Sequence, residues 1–266
     1  MAMNAKVMIR TGLRGGITRL RESYYTPPFK VANITEDKTG TLLHLMLMCS
    51  SPGILDGDEY AIRLHLEAGS KLQLHTQSYQ RLFHMKEGAS QLMEVYLEQG
   101  ASFCYLPHPC SPHAHSIFRG RNKLFLAEGA QLVWGEVLTC GRKGSGEVFA
   151  FSKYQTITEV FCNNKLVLRE NINLQPSVMN LTAPGQLEGF THQGSLLRVG
   201  GRMEEAVRSD IQGYLSCQEG VRSGASEGPA GSFVVRLLGN RAEQLQDCLK
   251  TVAGILSFTK PLTYAG

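Results

Sequence analysis

The sequence predicts a mainly β protein, a β-helix-like stack of repeated strand-turn-strand units with a C-terminal α-helix. Three observations predict it. A glycine-centred pattern recurs three times at nearly constant spacing. Apolar residues alternate with period two on both sides of each glycine. One segment near the end of the chain has helical periodicity instead.

The repeat runs Leu64-His65-Leu66-Glu67-Ala68-Gly69, Val95-Tyr96-Leu97-Glu98-Gln99-Gly100 and Leu124-Phe125-Leu126-Ala127-Glu128-Gly129. Leu64 and Leu66, Val95 and Leu97, and Leu124 and Leu126 precede the glycines. Leu72 and Leu74, Phe103 and Tyr105, and Leu132 and Trp134 follow them. With 42% apolar residues in the chain, chance fills these slots roughly 3 times in 100,000. Residues two apart on a strand share a face, and glycine supplies the positive φ of a tight turn. A period near 30 is that of stacked β units, each too small to bury its own face. A β-sandwich of similar hairpins is the alternative.

A partial copy precedes these units at Gly40, with Leu43, Leu45 and Leu47. After Gly129 the pattern changes. Residues 156–161 and 166–169 flank Asn163-Asn164 and read as a hairpin. Residues 176–231, rich in Gly, Pro and Ser, give no clear element, and 232–238 reads as a strand. Across 241–257, Leu245, Cys248, Leu249, Val252 and Leu256 line one helix face. No linker is visible, so the expectation is a single domain over residues 1–266, with repeat units at about 60–140 and the helix at about 241–257.

Lys plus Arg number 27 against 23 Asp plus Glu, a net +4, and the basic residues are scattered. That argues against nucleic acid as a partner. The first ten residues lack a signal-peptide apolar stretch, and the longest apolar run, 42–49, is interrupted by His44. It falls short of the roughly 20 residues of a membrane helix, so no membrane partner and a cytoplasmic location are expected. Seven cysteines without a Cys-x-x-Cys pair read as reduced thiols.

No nucleotide phosphate loop and no His-Glu-x-x-His helix occurs. Gly224-Ala225-Ser226-Glu227-Gly228 matches Gly-x-Ser-x-Gly, but Pro229, a glycine and a strand follow where a nucleophile elbow needs a helix. It reads as a loop. The densest group of metal-ligand types is Pro107-His108-Pro109-Cys110-Ser111-Pro112-His113-Ala114-His115. Imidazole and thiolate suit nickel, copper and zinc, so His108, Cys110, His113 and His115 are candidate ligands of a transient site, the alternative being a polar loop. Ser51-Pro52-Gly53 through Asp56-Gly57-Asp58-Glu59, Thr76-Gln77-Ser78 and Gly141-Arg142 through Gly146-Glu147 are polar islands beside apolar strands. Taken singly they read as turns or strand ends.

Together and in order, these islands resemble the UreD family of urease accessory proteins, called UreH in some organisms. Thr26-Pro27-Pro28-Phe29-Lys30, Ser51-Pro52-Gly53 with Gly57-Asp58, Thr76-Gln77-Ser78, Leu106-Pro107-x-Pro109 with Pro112, Gly141-Arg142 through Gly146-Glu147 and Val234-Val235-Arg236-Leu237 carry the match. The resemblance implies a β-helix-like fold and no enzymatic turnover. It implies a scaffold that binds apo-urease and the accessory protein UreF, which recruits the nickel-carrying GTPase UreG. It also implies transient nickel, with no tightly bound cofactor, and a polar tunnel as its route. Carried over by motif, Asp58, Glu59, Thr76, Ser78 and Glu147 become candidates for that route. Oxygen ligands suit a path that must release its ion. The histidines and cysteine of 106–116 depart from the family pattern, which is apolar or aromatic near Ser111 and His113. Two other readings compete. One is a β-helix carbohydrate-active enzyme, although no second carboxylate pair stands at matching repeat positions. The other is an interaction scaffold without metal contact.

Overall fold

The structure, a computed structural model, describes residues 2–256. The chain begins with a hairpin of β1 (Asn4–Arg14) and β2 (Ile17–Tyr25), followed by β3 (Phe29–Asn33) and β4 (Leu42–Cys49). The repeats follow as β5 (Glu59–Leu66) and β6 (Lys71–Thr76), the short β7 (Gln80–Leu82), β8 (Ala89–Leu97) and β9 (Ser102–Tyr105), the short β10 (Cys110–Pro112), then β11 (Ile117–Leu126) and β12 (Gln131–Leu138). Beyond them lie β13 (Lys153–Cys162), β14 (Lys165–Leu174), β15 (His192–Val199), α1 (Glu205–Ser216), β16 (Arg222–Glu227), β17 (Phe233–Gly239) and α2 (Ala242–Ile255).

These strands make two sheets of mixed direction. The first runs β14-β13-β11-β8-β5-β1-β2 and the second β16-β17-β15-β12-β9-β6-β4-β3, with β7 and β10 attached to the second. The chain alternates between them: β5, β8 and β11 are parallel neighbours in the first sheet, and β6, β9 and β12 in the second. Antiparallel pairs finish each sheet at both ends, β1-β2 and β13-β14 in the first, β3-β4 and β12-β15-β17-β16 in the second. The mainly β expectation holds, with the hairpin at Asn163-Asn164 (φ 48° and 63°) among its particulars.

The repeat slots superpose in the registers. Leu64, Val95 and Leu124 are successive partners, as are Leu72, Phe103 and Leu132, and Leu74, Tyr105 and Trp134. Every slot is buried, and each large apolar side chain so removed from water contributes about 1.5–3 kcal/mol. Gly69, Gly100 and Gly129 have φ of 69°, 67° and 69°, the left-handed turn that glycine adopts without a Cβ penalty. The turns stack as well: Gly69 N–H donates to Gln99 O at 2.9 Å and Gly100 N–H to Glu128 O at 3.1 Å. The partial copy is in register too, Leu43 beside Leu72 and Leu45 beside Leu74.

The stretch 176–231 holds three elements that its composition hides. In β15 both faces are largely buried, which erases the alternation of a half-buried strand. Helix α1 buries only Ile211 and Leu215, too little for a readable stripe. Residues 222–227 form the edge strand β16, with Ala225 opposite Val235, so Gly224–Gly228 corrects from loop to mostly strand. A short 3-10 turn at Pro229–Gly231 and β17 follow it, and no nucleophile elbow forms. Helix α2 lays Leu245, Cys248, Leu249 and Val252 on the outer face of the second sheet. Ser257, the expected last helix residue, lies outside the described residues.

Candidate functional site

Between the sheets, the inward-facing positions are apolar beside the glycine turns and become polar farther along each strand. On β8, Val95 and Met93 give way to Gln91, and on β11 Leu124 gives way to Asn122. Leu74 is followed by Thr76 on β6, and Trp134 by Glu136 on β12. Parallel registers carry this change across the sheet: Tyr60 lies beside Gln91, and Asn122 lies between Met93 and Thr158. A polar layer therefore crosses the apolar core, stepping by one inward position between Gln91 on β8 and Asn122 on β11.

Three cavities occupy that layer. The first, of about 100 Å³, is lined in part by Ser51, Thr76, Ser78, Gln80, Gln91 and His108. The second, of about 50 Å³, shares Gln80, Gln91 and His108 with it and adds Asn122, Thr156 and Glu136. The third, of about 380 Å³, shares Glu136 with the second and adds Glu170, Gln193 and Arg236. The walls are ordered by hydrogen bonds. Gln80 Nε2 donates to Gln91 Oε1 at 3.1 Å, and Asn122 Nδ2 to Thr158 Oγ1 at 3.0 Å. The His108 backbone N–H donates to Thr76 Oγ1 at 2.8 Å. Trp134 Nε1 and Gln193 Nε2 are buried without a protein partner. Orphaned donors of this kind are commonly met by internal water.

Glu136 stands where the second and third cavities meet. Burial pushes its carboxyl up to about 8, Glu170 adds to the effect and Arg236 opposes it. Glu170 is itself paired with Arg236. The acids selected from sequence stand in glycine-rich turns. Glu136 is passed over, although a lone carboxylate inside the apolar run of β12 is a usable signal.

Of the residues selected from sequence, Thr76, Ser78 and His108 line the first cavity. Cys110 lines the second, and burial pushes its thiol well up, with Glu136 adding to the effect. Asp58, Glu59 and Glu147 line none of the three. Asp58 is fully buried and accepts from Met3 N and Leu55 N at 2.9 Å each and from Tyr60 Oη at 3.1 Å. Glu59 is exposed at the start of β5. Glu147 accepts from Ala114 N at 3.1 Å and pairs with Arg142, whose hydrogen bond holds its carboxyl below the ordinary value.

The four residues of the His/Cys segment are not brought together. His113 packs on the Phe83 ring at 4.9 Å, and His115, at φ 61°, lies exposed with its ring 5.4 Å from that of His84. The odd step from Cys110 to His113 reverses the side of an extended chain, and the left-handed residue at 115 turns it outward. Among the described residues no three His, Cys, Asp or Glu side chains gather as a metal site. Among them, too, no helix is long and apolar enough to cross a membrane.

Comparison with known proteins agrees with the motif order. A family described as "UreD urease accessory protein" matches residues 3–262. The urease accessory protein UreD of Flavobacterium johnsoniae is 45% identical over 250 residues, covering 93% of this chain and 90% of that one. UreD of Acetivibrio thermocellus is 35% identical, covering 95% and 97%, and that of Actinobacillus pleuropneumoniae serotype 3 is 32% identical, covering 96% and 97%. With a family match over nearly its whole length and relatives of this identity, the chain belongs to the UreD family of urease accessory proteins.

Proposed function

We propose that this chain acts in urease maturation as a scaffold that binds apo-urease and UreF, through UreF meets the GTPase UreG, and passes nickel along its polar interior to the urease active site. Family membership supports the maturation role and its accessory, non-enzymatic character. The observation that carries the route is the run of three cavities with shared wall residues, partly polar linings and unpartnered donors inside an otherwise apolar core. The alternating parallel strands support a β-helix-like description, since such a stack encloses an interior along its axis.

On this reading Thr76, Ser78, Gln80 and Gln91 offer neutral oxygen ligands at one end, and Glu136 offers a carboxylate at the junction. Burial favours the protonated Glu136, so a passing dication displaces that proton and the carboxylate recovers it afterwards. Oxygen ligands of this kind bind nickel without the retention of a His/Cys cage. His108 and Cys110 are the two members of the His/Cys segment placed for transient contact. Asp58 and Glu147 brace the loops around the route.

The test is co-expression of Glu136→Ala and Glu136→Gln chains with urease and the other accessory proteins. Assembly with UreF and apo-urease is expected at wild-type yield, with nickel per urease site reduced several-fold. Normal nickel content with normal assembly would remove Glu136 from the route.

A further inference from the structure

Outside the cavities, the second sheet carries a pair of histidines on its outer face. Leu43, Leu45 and Leu47 of β4 face the core, which turns His44 to the other side. Leu72 and Leu74 of β6 do the same for His75. In the parallel register His44 is opposite Gln73 and Met46 opposite His75, so the two imidazoles meet on the diagonal. Their rings lie 5.5 Å apart at an interplanar angle of 23°, and His44 Nδ1 is 3.2 Å from His75 Nε2.

We propose that His44 and His75 together bind a single divalent transition-metal ion, of the nickel and zinc class, on the outer face of this sheet. The spacing has the bite of a shared ion: two metal–nitrogen bonds of about 2.1 Å, opening at about 100°, place their nitrogens about 3.2 Å apart. Without metal, one of these nitrogens donates its proton to the other. With metal, that imidazole keeps its proton on the opposite ring nitrogen, and both facing lone pairs are free, so no net proton is released. Burial holds both imidazoles below their ordinary value, His75 down to about 4, with His44, His108 and Lys250 adding to the effect there. Both are therefore neutral near pH 7, the form that ligates metal.

The surrounding charges are two. Glu36 faces His44 and favours a cation there, while Lys250 of α2 faces His75 and His108 and opposes one. Two protein ligands leave the other positions to water or to a donor from a partner, which keeps the ion exchangeable. His75 adjoins Thr76, a wall residue of the first cavity. The inference does not rest on the maturation role, because it concerns metal binding by the chain alone.

The test uses the purified full-length chain, stripped with a chelator and titrated with nickel chloride under equilibrium dialysis and calorimetry. His44→Ala and His75→Ala are each expected to weaken one nickel equivalent at least tenfold, with no further loss in the double variant. Lys250→Met, which leaves both imidazoles in place, is expected to tighten it several-fold. X-ray absorption of the bound nickel is expected to show two imidazoles in the wild type and one in either His variant. His65→Ala, whose imidazole meets Glu98 at 2.7 Å elsewhere on the surface, is expected to bind as wild type. Wild-type isotherms in both His44→Ala and His75→Ala, or equal loss in His65→Ala, would overturn the site.

Discussion

Replacing Glu136 by glutamine gives a pH-dependent stability difference whose size follows from its surroundings. Burial pushes the Glu136 carboxyl from its ordinary 4.5 up to about 8 in the folded chain. Between these values the folded state binds more protons than the unfolded state, so rising pH destabilises the wild type by up to about 1.4 kcal/mol per unit. From about pH 5.5 to 7.5 the loss reaches about 2.7 kcal/mol, and water in the adjoining cavity trims it to about 2 kcal/mol. Glutamine keeps the shape and does not titrate, and the comparison subtracts every other titrating group. Urea denaturation at both pH values measures the difference directly, with an unchanged slope confirming that the same surface unfolds. The Glu136→Gln chain should gain about 2 kcal/mol on the wild type between the two pH values. A gap that stays within about 0.5 kcal/mol would refute the buried-proton account.

Four further outcomes are expected. Asp58→Ala leaves Met3 N, Leu55 N and Tyr60 Oη without their acceptor, and at about 1–3 kcal/mol for a buried unsatisfied donor its thermal midpoint should fall by several degrees. Gly100→Ala meets no neighbour within 4 Å but needs φ 67°, so its cost should be backbone strain alone, about 1–2 kcal/mol by denaturation. Leu249→Ala empties a buried site beneath α2 and should cost about 2–5 kcal/mol. Lysine at the exposed Asp247 of α2, which gives up a surface ion pair with Lys250, should change stability by less than about 0.5 kcal/mol and reduce UreF capture in a pull-down. Unchanged capture would limit α2 to covering the sheet.

The local features were legible in the sequence because their physics is local. A strand buried on one face alternates with period two, a left-handed turn calls for glycine or asparagine, and a docked helix shows a stripe such as Leu245, Leu249 and Val252. Those rules reached the glycine-turn repeats, the Asn163-Asn164 hairpin and α2. They did not reach β15, because burial on both faces removes alternation, or α1, which buries only Ile211 and Leu215. The interior site was legible only at Thr76, Ser78, His108 and Cys110. Gln91, Asn122 and Glu136 line one cavity because parallel pairing sets segments about thirty residues apart side by side and the two sheets face each other, and no residue carries the register of its neighbours. The same limit made His108, Cys110, His113 and His115 read as one cluster. Nearness along the chain put them together, and the odd step in an extended strand with a left-handed turn at His115 sent them to different faces. The sequence by itself determined the repeating units, the turn chemistry and the family. Tertiary structure decided which polar side chains meet, because that depends on the pairing of distant strands.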